Sequence, residues 1–80
     1  MKFIWVQQNI AHLANHGMTP KIAEALFHAG DRKAAPSEQG FGRNVLEASH
    51  SGRLYRPVFT LVGPDEIFVI TGFPIPRRPK

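Results

Sequence analysis

Two helical stretches followed by three strand-like stretches predict an α+β fold for this chain of 80 residues. Two N-terminal helices should pack on one face of a mostly antiparallel sheet. Three observations carry that prediction. Apolar residues recur at three- and four-residue spacing before residue 30. Runs of β-branched and aromatic residues dominate the second half. Turn-forming residues separate those runs. The expected order is β-α-α-(β)-β-β-β in a single domain, residues 1–80, with a basic tail over 74–80.

The elements follow in order. Phe3-Ile4-Trp5-Val6 reads as a first strand. Ile10, Leu13 and Ala14 then share one helical face, with His12 and His16 toward its flank and Gly17 as the stop. Thr19-Pro20 is a strong second start, a capping hydroxyl followed by proline at the first helical position. The pairs Ile22/Leu26 and Ala23/Phe27 give this helix an apolar stripe, with Lys21, Glu24 and His28 mostly outside it, and Gly30 ends it. Residues 31–42, "DRKAAPSEQGFG", predict a loop with a short strand at 33–35. Strands are expected over 44–49, 54–62 and 67–73, joined by the turns "HSGR" and "GPDE". Pro57 lacks an N–H and points to an edge position or a bulge.

Composition narrows the class of protein. A chain this short has a thin core, so a partner or a second copy would add to its stability. Ten Lys and Arg against six Asp and Glu give a net charge of +4 and a pI of about 10.1. That excess favours nucleic acid, an acidic protein or an anionic membrane surface as partner. No cysteine is present, which excludes disulfides and thiolate metal sites. No signal-peptide pattern opens the sequence, and no apolar run approaches the ~20 residues of a membrane span. A cytoplasmic, soluble protein without a membrane partner is the expectation. His12 and His16 have a zinc-compatible spacing, but two histidines are too few for a site and "HLANH" lacks the glutamate of HExxH. His16 fits better as a helix-terminal cation. No metal and no cofactor is expected, and none of the glycine turns has a phosphate-loop pattern.

Three stretches together resemble the BrnT-like toxin family, within the RelE-like superfamily of type II toxin–antitoxin ribonucleases. "FIW" followed by "NIAHLANHGMTPKIAEALF" is similar to that family's start, a strand with Trp, a helix ending in His-Gly, and a second helix. "SGRLYRPVFTL" resembles its hairpin, and "IFVITGFPIPRR" its last strand and basic tail. The resemblance implies a compact RelE-like domain that cuts RNA, an mRNA interferase. It also implies an antitoxin encoded by the adjacent gene, with a homodimer or a toxin–antitoxin heterotetramer as the assembly. Arg43 stands near the family's arginine before the hairpin, offset by one residue. The sequence departs from the pattern at Val6-Gln7, where the family carries Asp-Glu, and at Gly72-Phe73, where it carries a cation after the last strand's Ser/Thr.

Cleavage by such an enzyme proceeds by attack of the ribose 2′-hydroxyl on the adjacent phosphate, without metal. The protein moves protons and stabilises charge on phosphorus. Arginine suits the second task because its planar fork gives two parallel hydrogen bonds to phosphate oxygens. Strand alternation places Leu54, Arg56, Val58 and Thr60 on one face and Val45, Glu47 and Ser49 on one face of the preceding strand. Arg56 is therefore the candidate for phosphate, with Glu47 or His50 as proton carrier. Arg43, Arg53, Arg77 and Arg78 are the candidates for gripping the RNA backbone. Pro74 and Pro76 should stop the last ladder and carry Arg77-Arg78 outward as a stiff arm.

Plainer readings exist for each feature. Arg56 and Glu47 read equally as a solvated cross-strand pair worth at most ~1 kcal/mol. The tail reads as an ordinary basic terminus, and Tyr55 as core or rim. Two alternatives to the toxin follow: a non-catalytic relative kept for binding antitoxin or RNA, and a small basic module that binds a protein.

Overall fold

A computed structural model describes residues 1–38, 40 and 42–76. Its elements are β1 (Lys2–Ile4), α1 (Gln7–Ala14), α2 (Pro20–Phe27), β2 (Lys33–Pro36), β3 (Arg43–His50), β4 (Arg53–Gly63) and β5 (Glu66–Pro74). They form the expected α+β class, with one five-stranded sheet in the order β1-β5-β4-β3-β2. The sheet is mixed. β1 runs parallel to β5, and every other neighbouring pair is antiparallel. The arm expected to carry Arg77 and Arg78 lies outside the described residues. No helix among the described residues is long and apolar enough to cross a membrane.

The first strand ends two residues earlier than its β-forming run suggests, because of Asn9. The bond from Lys2 N–H to Asp65 C=O sets the parallel ladder. Continued by two rungs, that ladder would bring Val6 N–H to Val69 C=O. The Asn9 amide stands between them instead. Its oxygen accepts from Val6 N–H at 2.8 Å, and its nitrogen donates to Val69 C=O and to Ile4 C=O, both at 3.0 Å. Val6 thereby becomes the N-cap of α1. This also corrects the expected face of α1. Asn9 and Leu13 are the buried residues, and Ile10 is 39% exposed.

α1 ends at a Schellman motif. Met18 N–H donates to Leu13 C=O and Gly17 N–H to Ala14 C=O, with Gly17 at φ 74°. The apolar contact that accompanies this motif, Leu13 with Met18, lands on Gly72 of β5. A Cβ at Gly72 would lie 2.9 Å from Met18 Sδ and 3.2 Å from both Leu13 Cδ2 and Pro57 Cα. The second helix begins as expected, with Thr19 Oγ1 accepting from Ile22 N–H and Pro20 at the first turn. Ala23, Leu26 and Phe27 are buried against Leu46, Ala48, Tyr55, Phe59, Ile67 and Val69. Phe27 meets Phe59 edge-on at 5.0 Å, and Trp5 donates its indole N–H to Glu24 at 2.7 Å. Both helices thus cover one face of the sheet.

The two prolines in strands depart from expectation to different degrees. Pro57 lies in the central strand, which excludes the edge alternative, and sits at an irregularity of the sheet, beside the register shift at Val58/Phe59. Its missing N–H coincides with a break in the β3–β4 ladder: Val45↔Val58 and Ala48↔Tyr55 are paired, and the two positions between them are not. Pro74 does not stop β5. It remains paired with Tyr55, and Ile75 N–H still donates to Leu54 C=O at 2.8 Å. Because 73 and 75 turn their polar groups to β4, Pro74 turns its nitrogen to the free side of β5, where β1 has already ended.

A bulge in β5 decides which side the end of the strand presents. Val58 pairs with Thr71 but Phe59 pairs with Val69, so Ile70 is an extra residue. Ile67 and Val69 face the helices, and an unbroken strand would turn residue 73 the same way. The bulge inverts the alternation. Gly72 faces the helices, buried, and Phe73 faces the opposite side. The β3–β4 turn holds Ser51 at φ 51° and Gly52 at φ 78° between the paired His50 and Arg53, a two-residue type I′ hairpin.

Two substitutions test this account. Asn9→Ala leaves the Val6 N–H and two carbonyls, of Ile4 and Val69, without their partner and should cost about 2–4 kcal/mol in urea unfolding. Gly72→Ala should cost about 1–3 kcal/mol by overpacking against Leu13 and Met18. A loss below the resolution of the unfolding curves in both would refute the seating of α1 described above.

Candidate functional site

Among the described residues no helix packs on the face of the sheet opposite α1 and α2, and the residues of that face line up in rows across the strands. One row is charged. Lys33 of β2 is paired with Glu47 of β3, Glu47 is ion-paired with Arg56 of β4, and Arg56 is paired with Phe73 of β5. The next row, Ala35, Val45, Val58 and Thr71, is mostly apolar. Beyond it Arg43 pairs with Thr60, whose hydroxyl donates to Gly42 C=O at 3.0 Å. These rows form the floor of a groove of about 650 Å³ whose lining includes Lys33, Arg43, Val45, Glu47, Arg56, Val58 and Phe73. The lining carries three cations, Lys33, Arg43 and Arg56, and two carboxylates, Glu38 and Glu47, for a net charge of +1.

The Arg56–Glu47 contact spans the place where Pro57 interrupts the ladder. Arg56 Nε donates to Glu47 Oε1 at 3.0 Å, and Nη2 donates to the same oxygen. The contact leaves Arg56 Nη1 and Glu47 Oε2 to one side. Both side chains are about two-fifths exposed, at 41% and 38%. A pair this wet gains little net energy from attraction. Its guanidinium can exchange a carboxylate for a phosphate at small cost.

The edge strand that brings Lys33 to Glu47 is held from its start. Asp31 accepts a hydrogen bond from Ser49 N–H at 3.1 Å, tying the residues before β2 to the end of β3. Hydrogen bonds from the Ser49 side chain and backbone hold the Asp31 carboxyl below its ordinary value of 3.8.

The remaining sequence candidates lie elsewhere. His50 and Arg53 are paired at the hairpin end. Alternation puts them on the helix-bearing side, where the Arg53 guanidinium lies 5.9 Å over the buried Tyr55 ring. Arg53 also borders a separate, smaller recess with Leu54, Pro74 and Ile75. Arg43, Glu47 and Arg56 are therefore brought together, and His50 and Arg53 are not among them. Arg77 and Arg78 lie outside the described residues. The short strand expected at 33–35 is present as β2, but Lys33 was not a candidate from sequence; its place in the row follows from β2 pairing with β3. His16 was read as a helix-end cation. Its ring also meets Phe73 at 6.3 Å with the planes 64° apart. Among the described residues no group of three or more His, Asp or Glu side chains is placed to hold a metal ion.

Comparison with protein-family models, with curated proteins and with solved structures finds no match for this chain.

Two measurements check the site's energetics. A double-mutant cycle on Arg56→Ala and Glu47→Ala should return a coupling in stability of no more than about 1 kcal/mol. A depressed carboxyl contributes stability above its unfolded-state pKa, and that contribution is lost as pH falls through the lower folded-state value. Wild type should therefore be the more stable at neutral pH, and Asp31→Ala should converge with it in acid below that value. Parallel pH–stability curves for the two proteins would contradict the Asp31–Ser49 tie.

Proposed function

We propose that this chain is the toxin of a type II toxin–antitoxin pair, a RelE-like endoribonuclease that cuts RNA without a metal. The observation that carries the reading is the Lys33–Glu47–Arg56 row on the sheet face opposite the helices, with Arg43 at the far side of the same groove. The BrnT-like pattern of the sequence supports it from a separate direction.

In this reading Arg56 holds the scissile phosphate through the guanidinium edge that Glu47 leaves open, and stabilises charge as it builds on phosphorus. Glu47 accepts the proton of the 2′-hydroxyl through Oε2. The 2′-oxygen bonds to phosphorus, and the bond to the 5′-oxygen of the next nucleotide breaks. The products are a 2′,3′-cyclic phosphate and a 5′-hydroxyl. The open groove admits the water that returns a proton to the departing oxygen. Lys33 and Arg43 hold the flanking backbone as point charges. The antitoxin would cover this same face and add buried surface to a thin core.

Phe73, paired with Arg56, favours a second reading. It occupies the fourth position of the row, where a further cation would serve catalysis, so the same face could bind RNA without cutting it.

The test is RNA cleavage by purified protein in EDTA, read by end-group analysis. Arg56→Ala and Glu47→Gln should each lower the rate by about 10²–10⁴-fold without altering the fold. Expression should arrest growth, and the product of the neighbouring gene should relieve it. Folded wild type that neither cuts RNA nor arrests growth would leave only the binding reading.

A further inference from the structure

We infer that Phe73 is a stacking seat for one unpaired nucleobase, so that the groove takes single-stranded rather than duplex RNA. The inference rests on the proposed RNA reading of the face and adds to it the form of the ligand. Three observations converge on Phe73. The bulge at Ile70 turns the ring away from the core, leaving the residue 36% exposed on the groove. The exposed His16, just beyond α1, contacts the ring edge-to-face at 6.3 Å. Arg56, the group placed for phosphate, is its direct cross-strand neighbour.

Spacing links these observations. Paired residues on adjacent strands emerge about 5 Å apart, within the span of a single nucleotide. A phosphate on Arg56 therefore brings its own base, or the next one, over Phe73. A partly exposed aromatic ring beside a cation offers a π-face to any base, which gives affinity with little sequence preference. A base inside a duplex has both faces already stacked and cannot use the seat. His16 and the β5 backbone restrict the ring, so less side-chain freedom is lost on binding.

The experiment uses a fluorescein-labelled, mixed-sequence 2′-O-methyl oligoribonucleotide, which cannot be cut by 2′-hydroxyl attack. Wild type should bind the single strand more tightly than the matching duplex at the same salt. Phe73→Leu should weaken single-strand binding about 5- to 30-fold, leaving the salt dependence unchanged because no cation is removed. Phe73→Trp should keep the affinity. A 2-aminopurine base in the same strand supplies a readout that needs no variant, since stacking quenches its fluorescence. Equal binding of single strand and duplex, undiminished affinity in Phe73→Leu, or unquenched 2-aminopurine at saturation would each overturn the inference. Phe73-dependent binding with native RNA left intact would uphold the seat and refute cleavage. Arg56-dependent cleavage with Phe73→Leu binding unchanged would do the reverse.

Discussion

The Asn9 amide is the joint on which the rest of the structure depends. It takes the place of a ladder rung between Val6 and Val69, and also binds Ile4 C=O. One buried side chain thereby ends β1, starts α1 and fixes α1 against β5. It meets the backbone demand of three groups, of which the Val69 carbonyl is buried. Once α1 starts there, its Schellman ending delivers Leu13 and Met18 onto Gly72, and the chain enters α2 at the right height to cover β3 and β4.

That early end to β1 shapes the functional face as well. β5 is flanked on both sides only along its first half. Its second half has a free side, where Pro74 can sit without breaking a hydrogen bond and where His16 can reach Phe73. Among the described residues the helices lie on one face and none on the other, which leaves a sheet surface that is partly apolar and partly charged. The Arg56–Glu47 pair lies at the middle of this surface, where Pro57 parts the strands. It is too wet to hold the fold together, and for that reason it is free to exchange partners. Stability and proposed chemistry are thus carried by opposite faces of one sheet.

The relation between sequence and structure is uneven along the chain. The caps at Thr19-Pro20 and Gly17, the place of the turn in "HSGR" and the strand runs were legible because each depends on local backbone preference. The choice between edge and irregularity for Pro57 stayed open, and Pro74 was misplaced, because a proline's tolerance depends on which neighbour its nitrogen faces, and that is a property of the sheet. Ile10 was placed inside because it is apolar; Asn9 displaced it because three backbone groups needed an amide there. Arg56 and Glu47 were found from alternation alone. The short strand at 33–35 was expected, but Lys33 was missed as a site residue because its neighbour, Glu47, is set by the pairing of β2 with β3.

The sequence by itself determined the α+β class, the positions of both helices and the alternation within the strands that carry Arg56 and Glu47, since periodicity and turn chemistry act over a few residues. The tertiary structure decided the strand order, the parallel β1–β5 pair and the side to which Phe73 turns. That last outcome hangs on one extra residue, Ile70, in a register set between two strands. A shift of one residue exchanges the faces of everything after it, and nothing in "VITGF" announces it.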